Sequence, residues 1–169
     1  HQLVMTATPI PRTLSLTIFG DLDYSVLDEL PPGRTPVETS TVTSADSSAV
    51  YEDVANAVRR GERAFIVAAV IDESEVGLVD LHTHLTWLSN GPLRQCRIEA
   101  MHGRLDSDTR DAIMDRFRRG DLDVLVATTV IEVGVDVPQA TRIVIENADR
   151  FGLAQLHQLR GRVGRGDTP

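Results

Sequence analysis

Residues Ala64 to Ile71 form an unbroken apolar run between charged neighbours, and Val124 to Thr128 read as another buried strand. A strand that is apolar at successive positions is buried on both faces, as in a parallel sheet covered by helices on each side. The remaining pattern agrees with such a sheet. Val37 to Val42, Arg97 to Met101 and Ile143 to Glu146 read as further strands. Between them lie helical segments. Ser48 to Arg60 places Val50, Val54, Ala57 and Val58 at helical spacing and is stopped by Gly61. Val76 to Leu88 is closed by Ser89-Asn90-Gly91-Pro92, and Asp108 to Arg119 puts Ile113, Met114 and Phe117 on one face before Gly120. Gly152 to Val163 is the final helix expected. Strands alternating with helices imply βαβ crossovers, an α/β fold and a mostly parallel sheet.

The first 36 residues are organised differently. Leu3 to Thr8 reads as a buried strand ended by Pro9, and Arg12 to Phe19 as a short helix. Asp28-Glu29-Leu30-Pro31-Pro32-Gly33-Arg34-Thr35-Pro36 gathers three prolines and a glycine, which marks a linker. The expected organisation is therefore the end of a preceding domain and a linker over 1–33, then one α/β domain over 34–169.

Composition excludes several chemistries. All 17 basic residues among the 169 are arginines, so the lysine of a phosphate-binding P-loop is absent and Schiff-base chemistry is ruled out. Any phosphate must be held by arginines, hydroxyls or backbone N–H groups. The net charge of −8 speaks against nucleic-acid binding by the whole surface, and seven aromatics speak against a base-stacking platform. No apolar run is long enough to span a bilayer. The single cysteine, Cys96, makes neither an internal disulfide nor a zinc site by itself, so a reducing, cytoplasmic setting and no membrane partner are expected.

Ligands of doubly wound sheets collect at the carboxyl ends of strands. The segments expected there are Thr6-Ala7-Thr8-Pro9, His102-Gly103-Arg104, Thr128-Thr129, Gly134-Val135-Asp136 and Arg160 to Arg165. Each has a plain alternative. Thr128 and Thr129 suit helix caps, Asp136 a turn, and His102-Gly103 a tight turn with a hydrogen-bonded histidine. Arg150 to Gly166 stands apart: it carries four arginines and no acid in an acidic chain. On a continuous helix Gln158, Arg162 and Arg165 share one face, while Leu156, Leu159 and Val163 share another that can dock on a sheet. Gly161 and Gly164 leave room for close approach at a cost of about 1 kcal/mol each against alanine. Two arginines converging on one point suit the charge on a transferred γ-phosphoryl group. Without a P-loop they would complete a nucleotide site built elsewhere.

Three of these segments resemble helicase motifs in order and spacing. Thr6-Ala7-Thr8-Pro9 is similar to motif III of superfamily-two helicases, Thr128 to Pro138 to motif V, and Gln158 to Arg165 to motif VI. The finer resemblance is to the RecG family of bacterial helicases, through Met5 to Leu14, Asp28 to Pro36 and Gly152 to Gln158. The transcription-repair coupling factors share the first and last of these but usually show Thr-Gly-Ile-Asp-Ile where this chain has Val133-Gly134-Val135-Asp136-Val137. They also lack the linker.

The resemblance implies a RecA-like second motor lobe of an ATP-dependent translocase that unwinds and remodels branched double-stranded DNA. It implies ATP with Mg2+ as cofactor, and the first helicase lobe of the same protein as partner. Arg162 and Arg165 would contact the γ-phosphate, with Gln158 ordering that face, and Gly134 and Asp136 would lie by the nucleotide ribose. Thr128 and Thr129 would hold a DNA phosphate. His102, Gly103, Arg104 and Arg110 match the family's strand-contacting region less specifically, and Thr6 and Thr8 would couple nucleotide state to domain closure. The P-loop and the metal-binding acidic motif would precede His1, so the chain by itself is expected to be inactive. The competing reading is a non-enzymatic adaptor that kept the sheet and lost nucleotide work.

Overall fold

The computed structural model describes residues 36–68, 75–128 and 137–164, all within one compact unit. The expected strand at Leu3 to Thr8, the helix after it and the boundary at residues 33 and 34 lie outside the described residues.

After a short 3-10 turn at Ser44–Asp46, helix α1 spans Ser47–Arg59 and buries Tyr51, Val54 and Ala57, one residue per turn. Its end is closed by Arg60, whose N–H reaches the Ala57 and Asn56 carbonyls. Gly61 then reverses the chain at φ +86°, a left-handed conformation open to glycine. Strand β1 (Arg63–Val67), helix α2 (Glu75–Asn90) and strand β2 (Ile98–Met101) follow. Helix α3 (Ser107–Arg119) starts under Asp106, whose carboxylate accepts the Thr109 N–H at 2.8 Å, and stops at Gly120, again at φ +86°. Strands β3 (Val124–Ala127) and β4 (Ala140–Ile145) precede a 3-10 turn at Ala148–Arg150 and helix α4 (Leu153–Arg160).

The described strands form one parallel sheet in the order β2-β3-β1-β4. Ala64 pairs with Val124 and Val67 with Ala127, so the two apolar runs are the central strands. Their period-two alternation divides the interior into two cores. Phe65, Val67, Leu125 and Ala127 pack with Ile113, Met114 and Phe117 of α3 and with Leu159 and Val163. On the other face, Ala64, Ile66, Val124 and Val126 pack with Tyr51 and Val54 of α1 and Leu81 and Leu88 of α2. Helices α1 and α2 thus cover one face and α3 and α4 the other. The phenyl rings of Phe65 and Phe117 meet at 5.0 Å and 53°.

Three elements differ from their sequence expectation. Residues 37–42 are not a strand: Val37 packs against the α3 side of the core, but Val42 is 51% exposed and the residues between are exposed. The two valines fall on opposite faces of an extended chain, so no single face is apolar. Strand β4 begins earlier than Ile143, because Thr141 and Arg142 meet their polar needs at Glu62 and Asp53. Helix α4 ends at Arg160 instead of Val163. Gly161 caps it, and Gly164 takes φ +71°, which no helix interior accommodates.

Candidate functional site

The carboxyl ends of β2 and β3 are neighbours, since Met101 pairs with Ala127. The residues that follow, His102 and Thr128, therefore emerge side by side. Thr128 is 2% exposed and its N–H donates to the Met101 carbonyl at 3.2 Å. Its hydroxyl oxygen is buried with no hydrogen-bond partner among the described residues, and so is Nδ1 of His102. Buried polar atoms are normally satisfied, and an orphaned one costs about 1–3 kcal/mol. Two at adjacent strand ends mark a place where a ligand can supply the missing partners.

Cations flank them. After His102 the chain makes a tight turn closed by the Leu105 N–H on the His102 carbonyl at 3.2 Å, and Arg104 is exposed on it with Gly103 beside it. The turn matches the plain reading of His102-Gly103, yet the histidine's Nδ1 has no partner among the described residues. Arg110, one turn into α3, is half-buried. Among the described residues neither guanidinium sits in an ion pair, whereas Arg60, Arg97, Arg116, Arg118, Arg119 and Arg142 all do. The Asp106 carboxylate nearby is committed to capping α3; Thr109 backbone and side-chain hydrogen bonds hold it below its ordinary value.

The arginine segment sits on α4. Leu159 and Val163 are buried and Leu156 packs against the same core, so the docking face is as its spacing predicts. Gln158 is exposed on the helix. Arg162 is half-buried two residues beyond the helix end, with its N–H on the Leu159 carbonyl at 2.9 Å. The one-face alignment of Gln158 and Arg162 on a continuous helix therefore does not hold. Arg162 is instead placed by the turn through Gly161. Thr6, Thr8, Thr129, Gly134, Asp136 and Arg165 lie outside the described residues.

One group at this edge escapes sequence reasoning. Glu146 directly follows β4, and its carboxylate accepts the Tyr51 hydroxyl of α1 while His84 Nε2 of α2 lies 2.8 Å from the same oxygen. No local pattern links three positions so far apart; only the sheet order brings them together. Trp87 beside them is 51% exposed and stacks on His84 at 5.8 Å.

Residues 47–167 match the model of the helicase conserved C-terminal domain. The chain belongs to that family. Other members of known sequence cover nearly all of it. It is 52% identical to ATP-dependent DNA helicase RecG of Haemophilus influenzae over 99% of this chain and 24% of that protein. With RecG of Escherichia coli K12 the identity is 51%, over 98% of this chain and 24% of the relative. The chain thus spans about a quarter of the length of these relatives. Among solved structures, RecG bound to a three-way DNA junction superposes with a TM-score of 0.76 at 48% identity, over 95% of this chain and 21% of that one. Dbp5 of Saccharomyces cerevisiae bound to RNA and ADP BeF3 shares the fold at a TM-score of 0.64 and 21% identity, over 96% of this chain and 41% of that one. The parallel sheet with helices on both faces is thus the RecA-like architecture of a helicase C-terminal lobe.

Proposed function

We propose that this helicase C-terminal domain is the second motor lobe of an ATP-dependent DNA helicase that remodels branched DNA in recombination and repair, in the reducing cytoplasm. The reading rests on the Thr128 hydroxyl and His102 Nδ1, buried at adjacent strand ends with no partner among the described residues, and on Arg104 and Arg110, which follow His102 in the chain and sit in no ion pair among those residues. A DNA phosphate oxygen would accept from the Thr128 hydroxyl and the histidine ring while Arg104 or Arg110 supplies charge. Such contacts carry no sequence information, as a branch remodeller requires. The identity to RecG across 98–99% of the chain favours this reading over a coupling factor or a nucleotide-free adaptor.

The nucleotide half of the reading follows from the arginines. No group of three His, Cys, Asp or Glu side chains that could hold a metal occurs among the described residues, and the sequence has no lysine for a P-loop. This lobe fits ATP and Mg2+ from the arginine side only, through Arg162 and Arg165 toward the γ-phosphate with Gly134 and Asp136 near the ribose. The other half of the site belongs to a first lobe in the longer protein. Bound ATP supplies phosphoryl transfer, and the arginines make lobe closure depend on its γ-phosphate. Alternation of the two lobes' grip on phosphates then advances the duplex.

The test is Thr128→Val in the full-length protein. Valine fills the same volume without a hydroxyl. Affinity for a three-way junction should fall about tenfold, the loss of one charge-assisted hydrogen bond, with folding stability undiminished. Unchanged affinity over a range of salt concentrations would refute the phosphate assignment.

A further inference from the structure

The group around Glu146 is not absorbed by phosphate or nucleotide binding. Its carboxylate lies on the α1 and α2 face, where Oε1 accepts the Tyr51 hydroxyl. His84 Nε2 lies 2.8 Å from the same oxygen but makes no hydrogen bond among the described residues, so Tyr51 is the bonded partner and His84 a close packing neighbour. Trp87 braces both rings, edge-on to Tyr51 at 5.5 Å and stacked on His84 at 5.8 Å. Tyr51 is 5% exposed, and burial, then the Glu146 carboxylate, raises its hydroxyl far above the ordinary tyrosine value, so it remains a donor.

From this anchor the chain crosses the end of β4 to the opposite core. The Glu146 N–H donates to the Val67 carbonyl at 2.9 Å. Asn147 takes φ +50°, the sole positive φ of a non-glycine residue among the described residues. The Arg150 N–H closes on Asn147 and the Phe151 N–H on Ala148. Phe151 is then buried in the core beneath α3 and α4, and the Gln155 side chain accepts the Gly152 N–H at 3.0 Å to start α4. The segment 146–152 is thus pinned at both ends, by a carboxylate on one face and a phenyl ring on the other. The left-handed residue sits between the pins, a conformation that costs about 1 kcal/mol and persists only where its surroundings enforce it.

We propose that Glu146 is a positioning residue: bonded to Tyr51 and packed beside His84, it fixes the turn 146–152 and thereby the place at which α4 presents Gln158 and the turn after it presents Arg162. The inference rests on the motor-lobe reading for its consequence in catalysis, but not for the clamp itself. Two measurements on the full-length protein separate these. In Glu146→Ala, hydrogen exchange should rise about tenfold over residues 148–160 while α3 (107–119) is unchanged. DNA-stimulated ATPase should lose about five- to tenfold in kcat with KM for ATP within about twofold, because geometry and not ground-state binding is lost. Tyr51→Phe, which removes one hydroxyl and keeps the ring, should show both effects more weakly and guards against a variant that does not fold. Glu146→Gln keeps an oxygen for the Tyr51 hydroxyl and should recover most of the rate.

Exchange that rises equally in α3, or stays unchanged over 148–160, overturns the clamp. A local rise in exchange with kcat unaltered overturns its role in catalysis. Absence of DNA-stimulated ATPase in the unmodified protein defeats the motor-lobe reading instead, and the exchange pattern still decides the clamp.

Discussion

Arg97 and Asp123 hold each other from the positions just before two neighbouring strands. The Asp123 carboxylate accepts the Arg97 backbone N–H at 2.7 Å and Nε at 3.0 Å, and the Asp123 N–H returns to the Arg97 carbonyl at 2.9 Å. Burial works to raise the Asp123 carboxyl, but the Arg97 hydrogen bonds outweigh it and hold the folded value below that of an ordinary aspartate. Glu62 is likewise held down by Arg60 and Thr141 against the effect of burial. A depressed folded value means that the stabilisation is complete above the unfolded value and drains as pH falls through the folded one. Urea midpoints should therefore hold from pH 7 to about pH 5 and drop steeply below about pH 4. Asp123→Asn should cost about 1 kcal/mol at pH 7 and flatten the acid limb. An equally steep limb in that variant would discount the pair.

Gly61 and Gly120 share φ +86° but not their surroundings. A Cβ on Gly61 would meet nothing within 4 Å, whereas one on Gly120 would lie 2.6 Å from Nη2 of Arg63. That arginine also donates to Gln139 at 2.9 Å. Gly61→Ala should cost only the backbone strain, about 1 kcal/mol. Gly120→Ala should cost more, since Arg63 must also move. Chemical denaturation of the two variants measures the difference, and equal losses would show that Arg63 yields freely.

Phe117 is fully buried and joins α3 to the centre of the sheet through Phe65. Phe117→Ala should destabilise by about 3–5 kcal/mol, from lost transfer energy and the cavity left behind. Phe117→Leu should cost much less. Comparable losses in the two would point to ring geometry, not volume, as the main term.

In the full-length protein Arg165→Ala should lower kcat for DNA-stimulated ATP hydrolysis by about 10³-fold or more while junction affinity stays nearly unchanged. Steady-state kinetics beside a binding titration give both numbers. A kcat within tenfold of the unmodified protein would remove Arg165 from the finger role.

The double burial of β1 and β3 was legible because every position from Ala64 to Val67 and from Val124 to Ala127 carries an apolar side chain, so either register of the pleat meets a core. Glycine stops at Gly61 and Gly120 were legible for the same local reason. Strand order was not: β3 inserts between β2 and β1, a choice made by long-range packing. Neither was the start of β4, the outermost of the described strands, whose Thr141 and Arg142 disguise it until Glu62 and Asp53 are placed beside them. At the candidate site, His102 and Thr128 could be nominated as residues that follow strands. Their unsatisfied atoms could not, because burial is a property of the neighbours and not of the residue. The end of α4 was misjudged because helical spacing of Leu156, Leu159 and Val163 survives a tight turn that keeps the side chains on the same core.

The central strand β1 has no partner near it in sequence. Ala64 pairs with Val124, about sixty residues further along, and its other neighbour, β4, is later still. During synthesis β1 and its helices leave the ribosome with both edges bare, and the sheet cannot start to close until β3 has emerged. For that interval the lobe is a chain of helices around an unpaired apolar strand. Its yield in a cell should therefore depend on translation speed and on holding factors more than on the stability of the finished sheet.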